Sequence, residues 1–329
     1  MKRRDMLKFS GLTILVARPR MLFGETAAAA PPPGAPKNAA AMSRRPFGKA
    51  GEQLSIVGLG GLVLARLDQE KSNRLVAEAV ECGINYFDVA PEYGDAEVKM
   101  GPALQPYRKN CFLACKTGQR TAEGAKMELA RSLERLKTDH LDLYQLHHIR
   151  KVAEDVDAVF AKGGAWEAIE EARKDGRIRH VGFSAHTEEA AIAALDRFDF
   201  DSAMFPVSFS CWFAAGYGLR TMEKARAKGA AVLALKSLCR QRWPQGPREP
   251  GPFARMWYQP VSDPEEQGLA VRWSLSQPVT AVLPPANDIL HRRAFEVGLA
   301  YAPVTAAETE KLKKIAAGLN PLFKPGQEP

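Results

Sequence analysis

A chain of 329 residues, 46% of them hydrophobic and 26% charged, is composed like a soluble globular protein with ample material for a core. Its formal charge of +8 would suit nucleic acid or anionic lipid. However, ten of the 46 basic residues and only two of the 38 acidic ones, Asp5 and Glu25, fall within positions 1–50, so the remainder carries 36 of each and no nucleic-acid partner is expected.

The chain opens with a charged head, Met1–Lys8, followed by an uncharged and largely apolar run, Phe9–Ala17. Glu25–Ala30 then leads through alanines into PPPGAP, the order of an export signal with a small-residue cleavage region. Nine residues are too few to span a bilayer, so no membrane anchor is expected after cleavage. Arg3-Arg4-Asp5-Met6-Leu7-Lys8 resembles the twin-arginine export motif, with Met6 where Phe is usual and with Arg18 and Arg20 following the apolar run. Residues 1–30 are therefore expected to be a twin-arginine signal peptide, with the export machinery as a partner and the periplasm as the destination; the cytoplasm is the alternative. Positions 31–43 read as a flexible Pro/Ala linker, and 44–329 as the folded domain.

From Arg44 the pattern becomes regular. RPFGKAGEQLSIVGLGGL predicts a hairpin feeding a first strand (Leu54–Gly60), and helix Gln69–Cys82 follows. Further strands are expected at Tyr86–Ala90, Cys111–Thr117, Leu141–His147, His180–Ser184, Ser202–Val207, Ala230–Lys236 and Thr280–Leu283. Helices are expected near Ala96–Leu104, Ala122–Leu136, Ala165–Lys174, Glu188–Arg197, Gly216–Lys228, Glu265–Leu275 and Ile289–Ala300. A Pro-, Gly- and Trp-rich insertion, Cys239–Pro264, precedes the last helix–strand unit. Eight strand–helix alternations in a domain of this length predict an α/β fold, a (β/α)8 TIM barrel with an N-terminal hairpin and a mouth-side insertion. No G-x-G-x-x-G follows a strand, so an open dinucleotide-binding sheet has no support.

Three of these strands end in polar residues. Side chains alternate along a strand, so Tyr86, Asp88 and Ala90 share a face, as do Phe112, Ala114 and Lys116, and Leu141, Leu143, Gln145 and His147. Asp88, Lys116 and His147 are thus expected to converge at one end of one sheet, with Tyr93 supplied by the loop after the Asp88 strand. The neighbouring His148 is the competing candidate to His147, and parity prefers His147.

FDVAPEYGDAEVKMG, CFLACKTG, LDLYQLHHI, IRHVGFSAHT and LAVRWSLSQPVTAVLPPA resemble, in order and spacing, the segments that mark the aldo-keto reductase family. The similarity covers about Arg44 to Ala300. It implies that Asp88, Tyr93, Lys116 and His147 form a catalytic tetrad, and the chemistry suits them. Reducing a carbonyl by hydride leaves an oxyanion that needs a nearby acid and positive charge. Lys116 is expected to lower the pKa of the Tyr93 phenol, Asp88 to keep Lys116 charged, and His147 to orient the carbonyl oxygen. No side chain supplies a hydride, so a nicotinamide is required: NADP(H), with NAD(H) as the other choice.

For that cofactor the resemblance implies Ser184 at the carboxamide, Phe209 stacked on the ring, Lys236, Ser237 and Leu238 around the pyrophosphate, and Arg292 at a 2′-phosphate, with Arg293 beside it. The chain departs from the family at Ala185, where Asn is usual, at Pro206, where Gln is usual, and at the PPAND segment after the last strand. Cys111 and Cys115 lie about 13 Å apart along one strand face, too far for a disulfide, and no cysteine or histidine spacing suggests a metal. The expected function is reduction of an aldehyde or ketone, or oxidation of the alcohol, with Tyr93 as general acid or base and a small carbonyl compound or sugar as substrate. The competing reading is a cofactor-binding barrel that senses redox state or serves as an accessory with negligible turnover, as in the potassium-channel β-subunit branch of the family. The aromatic residues of the insertion, Trp243, Phe253, Trp257 and Tyr258, are expected to wall the substrate pocket.

Overall fold

The computed structural model describes residues 42–248 and 250–327; the expected signal peptide and nearly all of the expected linker lie outside them. Eight parallel strands form one sheet. In chain order after the antiparallel hairpin β1 (Arg44–Pro46) and β2 (Gln53–Ser55), they are β3 (Leu59–Gly60), β4 (Tyr86–Asp88), β5 (Phe112–Thr117), β6 (Leu141–Ile149), β7 (Ile178–Ala185), β8 (Ser202–Pro206) and β9 (Ala231–Leu235), then β12 (Ala281–Leu283) after the short antiparallel pair β10 (Cys239–Gln241) and β11 (Gln259–Pro260). The sheet closes on itself through Gly58 N–H to the Val282 carbonyl at 3.0 Å and Val282 N–H to the Ile56 carbonyl at 2.9 Å. The fold is the (β/α)8 barrel that the alternation predicts.

Between the strands run α1 (Gln69–Glu81), α2 (Ala96–Leu104), α3 (Ala122–Leu136), a π-helical segment Val152–Asp157 continuing into α4 (Ala158–Phe160), α5 (Ala165–Lys174), α6 (Glu188–Arg197), α7 (Phe209–Ala215), α8 (Leu219–Lys228), α9 (Pro264–Ser276), α10 (Asp288–Leu299) and α11 (Ala306–Ala317). Short polar side chains set their starts: Asp68, Thr121, Thr187, Ser208, Asp263, Asn287 and Thr305 each accept an N–H of the first turn. Two differences from the sequence reading concern boundaries. The expected first strand splits, because Gln53–Ser55 pairs with the hairpin and only Leu59–Gly60 enters the barrel. The expected helix Gly216–Lys228 starts only at Leu219, and a short helix that was not expected, Phe209–Ala215, precedes it, because Gly216 and Gly218 between them adopt left-handed backbone, with φ of 64° and 94°.

The alternation expected along the strands holds inside the barrel. Tyr86, Phe112, Ala114, Leu143, Met204, Leu233 and Leu283 meet there in one buried cluster, and Phe47 and Leu54 of the hairpin join it. Register aligns Asp88 with Ala114 and Leu143, and Lys116 with Gln145 and Gly182. The polar strand ends thereby rise one layer above this cluster, at the C-terminal mouth.

Two residues of the FDVAPEYGDAEVKMG segment serve packing. Glu97 of α2 is buried and paired with Arg135 of α3 at 3.2 Å, and a Cβ on Gly101 would stand 2.3 Å from the Arg135 carbonyl oxygen. The glycine is what lets α2 and α3 approach. All five cysteines are free thiols, and among the described residues no helix is long and apolar enough to cross a membrane.

Candidate active site

At the mouth lies a cavity of about 540 Å³ whose floor includes Asp88, Lys116, Tyr93 and His147. Asp88 and Lys116 form a buried ion pair. The Lys116 ammonium also donates to the Val89 carbonyl at 3.1 Å, while the second Asp88 oxygen accepts from Gln145 at 2.8 Å and from the Tyr86 hydroxyl at 3.3 Å. Burial pushes Lys116 towards neutrality, but Asp88 and Tyr93 outweigh it, and the ammonium is held above its ordinary pKa. Lys116 Nζ stands 5.3 Å from the Tyr93 ring centre.

Tyr93 behaves otherwise than its neighbour suggested. Burial raises its phenol pKa by more than Lys116 lowers it, so the net shift is upward. The expectation of a lowered value is corrected: the low dielectric around the buried phenol outweighs the adjacent cation. A phenol protonated at neutral pH is a proton donor in waiting, as carbonyl reduction needs.

His147 packs edge-on against Tyr93, with ring centres 5.6 Å apart. Its Nδ1 lies 2.8 Å from Glu92 Oε2, near enough for charge attraction but out of hydrogen-bonding alignment. Burial pushes its pKa down, Glu92 pulls it back and Lys116 lowers it further, for a net value below the ordinary one. His148 also lines the cavity. A register shift between Leu146 and Ile149, with His148 at a left-handed φ of 57°, breaks the alternation that would send it outward. Parity brings His147 to the mouth, and a bulge that it does not foresee brings His148 there as well. Glu92 and His186 were missed as well: Glu92 is an ordinary loop carboxylate until His147 is beside it, and His186 follows the strand end that carries Ser184.

The expected cofactor residues divide. Ser184 and Lys236 line the cavity; the Ser184 oxygen accepts from the His148 N–H at 2.8 Å, which leaves its hydroxyl proton to donate. Lys236, at φ 66°, is pushed down to about 8 by burial and stands 4.9 Å from the Trp257 ring centre. Ser237 and Leu238 are buried behind it, and the Ser237 Oγ and His186 Nδ1 atoms have no hydrogen-bond partner among the described residues. Orphaned buried polar atoms beside an ammonium without a carboxylate partner fit the oxygen-rich pyrophosphate of a nicotinamide nucleotide.

Phe209 and Arg292 do not reach this place. Phe209 opens α7 and is turned wholly into the core. The Arg292 guanidinium is engaged at 2.8 Å by Glu78 and by Asp288, away from the cavity lining, and Arg293 binds Glu296 and the Pro264 carbonyl. The insertion also divides: Trp257 and Tyr258 wall this cavity, whereas Trp243 and Phe253 line a second one of about 500 Å³ within the insertion.

The sequence profile of the aldo/keto reductase family matches residues 56–242. The chain is 35% identical over 158 residues to the uncharacterized oxidoreductase YqkF of Bacillus subtilis, covering 44% of this chain and 49% of that protein. It is 29% identical over 168 residues to the L-galactose dehydrogenase of Arabidopsis thaliana, covering 46% and 51%. It thus spans about half the length of the curated relatives it matches. The holo form of aldo-keto reductase AKR11C1 from Bacillus halodurans superposes with a TM-score of 0.66 at 24% identity, over 84% of this chain and 98% of that one; this is a likeness of fold.

Proposed function

The chain belongs to the aldo/keto reductase family, and from that membership we propose that it is a nicotinamide-dependent oxidoreductase interconverting a small carbonyl compound, a sugar among them, and its alcohol. The observation that carries the reading is the buried ion pair of Asp88 with Lys116 beneath Tyr93. A buried charge pair costs desolvation, and here it fixes an ammonium next to a phenol that opens on the cavity. The nucleotide, when bound, supplies the hydride. Tyr93 gives the proton that turns the resulting oxyanion into a hydroxyl, Lys116 stabilises the phenolate left behind, Asp88 holds Lys116, and His147 meets the substrate oxygen. Lys236, Ser237 and His186 would hold the pyrophosphate, and Ser184 the carboxamide.

Phosphate preference is read from Arg292. To meet the 2′-phosphate of NADP(H) it would have to leave Glu78 and Asp288, whose charges would then oppose the ligand, so NAD(H) is favoured. The comparison of kcat/KM for NADPH and NADH checks this, and a strong preference for NADPH that Arg292→Ala abolishes would reverse it. The charged head, apolar run and Arg3-Arg4 pair support export of the folded protein to the periplasm; changing both arginines to Lys is expected to retain the precursor in the cytoplasm, read by fractionation and intact mass.

The enzymatic reading is tested with Tyr93→Phe, which removes a proton donor and keeps the ring. Turnover of aldehydes and ketones is expected to fall at least ~100-fold with nucleotide affinity little changed. Equal turnover by the variant and the wild type would overturn it, and a wild type that binds nucleotide but transfers no hydride to any carbonyl would favour the sensor or accessory barrel.

A further inference from the structure

Glu92 has no part in the tetrad, yet it is the carboxylate that His147 faces. Its side chain, 54% exposed, places Oε2 2.8 Å from His147 Nδ1. The His147 ring holds the Glu92 carboxyl below its usual range despite some burial, so the group is ionised at neutral pH and can only accept protons. The carboxylate lies off the direct line of an Nδ1–H, but at 2.8 Å its negative oxygen repels an Nδ1 lone pair and attracts an Nδ1–H, which favours the proton on Nδ1. The opposite ring nitrogen, Nε2, has no partner among the described residues, and the ring lines the cavity.

We infer that Glu92 is a positioning residue that keeps the proton on Nδ1 of His147, so that this histidine donates from Nε2 to a substrate oxygen only as an imidazolium. The inference deepens the carbonyl-reductase reading and rests on it for its catalytic meaning. A neutral imidazole has one N–H, and Glu92 draws it to Nδ1; Nε2 then carries a lone pair and gives no hydrogen bond to a carbonyl oxygen. The imidazolium has two, and Nε2 then donates, suited to a carbonyl. Proton occupancy of His147 therefore sets how well the site holds a carbonyl oxygen, and carbonyl reduction is favoured below the pKa of this histidine. The titratable groups facing this ring are Glu92 and Tyr93 in the loop after β4, Asp88 on β4, Lys116 on β5, His148 on its own strand and His186 after β7; Arg120 donates to the His147 carbonyl at 2.8 Å. Among them Glu92 is the one at hydrogen-bonding distance from Nδ1.

The experiment is ¹⁵N NMR of histidine-labelled protein, with His147 assigned by its loss in His147→Asn, alongside pH profiles of carbonyl reduction. The wild-type neutral ring is expected to carry its proton on Nδ1. Glu92→Gln, whose amide oxygen still accepts, is expected to keep that tautomer with a lower titration midpoint. Glu92→Leu is expected to lower the midpoint by about one pH unit and to release the Nε2–H tautomer, with the alkaline fall of carbonyl reduction moving down by the same amount. A wild-type ring protonated on Nε2, or an unchanged midpoint in Glu92→Leu, would overturn the inference. If the NMR results are as expected while the wild type reduces no carbonyl, the hold of Glu92 on His147 stands and the reductase reading falls.

Discussion

Lys236, at the end of β9, is capped by Trp257 of the insertion, its ammonium 4.9 Å from the indole centre and 5.4 Å from that of Tyr258. A cation over aromatic faces is stabilised by about 0.5–2 kcal/mol, less than a carboxylate would give in the same place. The charge is thus left available to an arriving anion, and burial already draws its pKa to about 8.

Nucleotide affinity should therefore depend on pH. The ammonium is present below about 8 and lost above it, so the Kd for NADH or NADPH is expected to rise roughly tenfold between pH 7 and 9, and Lys236→Met should bind weakly with no pH dependence over that range. Quenching of Trp257 fluorescence on titration reads both.

The two tryptophans of the insertion should separate by function. Trp257, 50% exposed on the cavity wall, is expected on replacement by Ala to change KM several-fold, most for bulky carbonyls. Trp243, which donates to the Met256 carbonyl at 2.7 Å and stacks under Arg248, should on the same change lower stability and leave the size dependence of KM alone. Kinetics over a series of aldehydes of increasing length checks the split.

Removing Lys116 should damage the fold as well as turnover. With the lysine 1% exposed, Lys116→Met leaves Asp88 charged and buried, a loss of about 3–5 kcal/mol. Adding Asp88→Asn should restore much of that stability and none of the activity, as read by denaturant unfolding and turnover of the same samples.

Gly101→Ala should be destabilising for a steric reason. The new Cβ would meet the backbone of Arg135 and Leu136 at 2.3 and 3.0 Å, which cannot swing aside, so α2 and α3 must part at a cost of about 1–3 kcal/mol. A lowered Tm with unchanged kcat of the folded protein is the expected result.

What the sequence made legible followed from periodicity. Strand alternation put Asp88, Lys116 and His147 on one face, and the barrel interior obeys it from Tyr86 to Leu283. What it hid were departures from periodicity and side-chain partnerships. The bulge at His148 depends on a register shift between strands, and the core position of Phe209 on a helix start capped by Ser208. The occupation of Arg292 depends on Glu78, far away in the chain. One omission was avoidable: Thr305 and Glu308 form a capping box, a spacing visible in the sequence that marks the start of α11.

The seam of the barrel joins residues from opposite ends of the folded domain, Val57 and Val282. As the chain leaves the ribosome, β3 to β9 can pair with sequence neighbours as each emerges, whereas the free edge of β3 waits for β12, the last strand among the described residues. Such a distant contact is formed late and slowly, and the interval exposes an unpaired sheet edge. Because β3 is only Leu59–Gly60, that edge offers very little backbone to a neighbouring nascent chain, which guards against aggregation during synthesis.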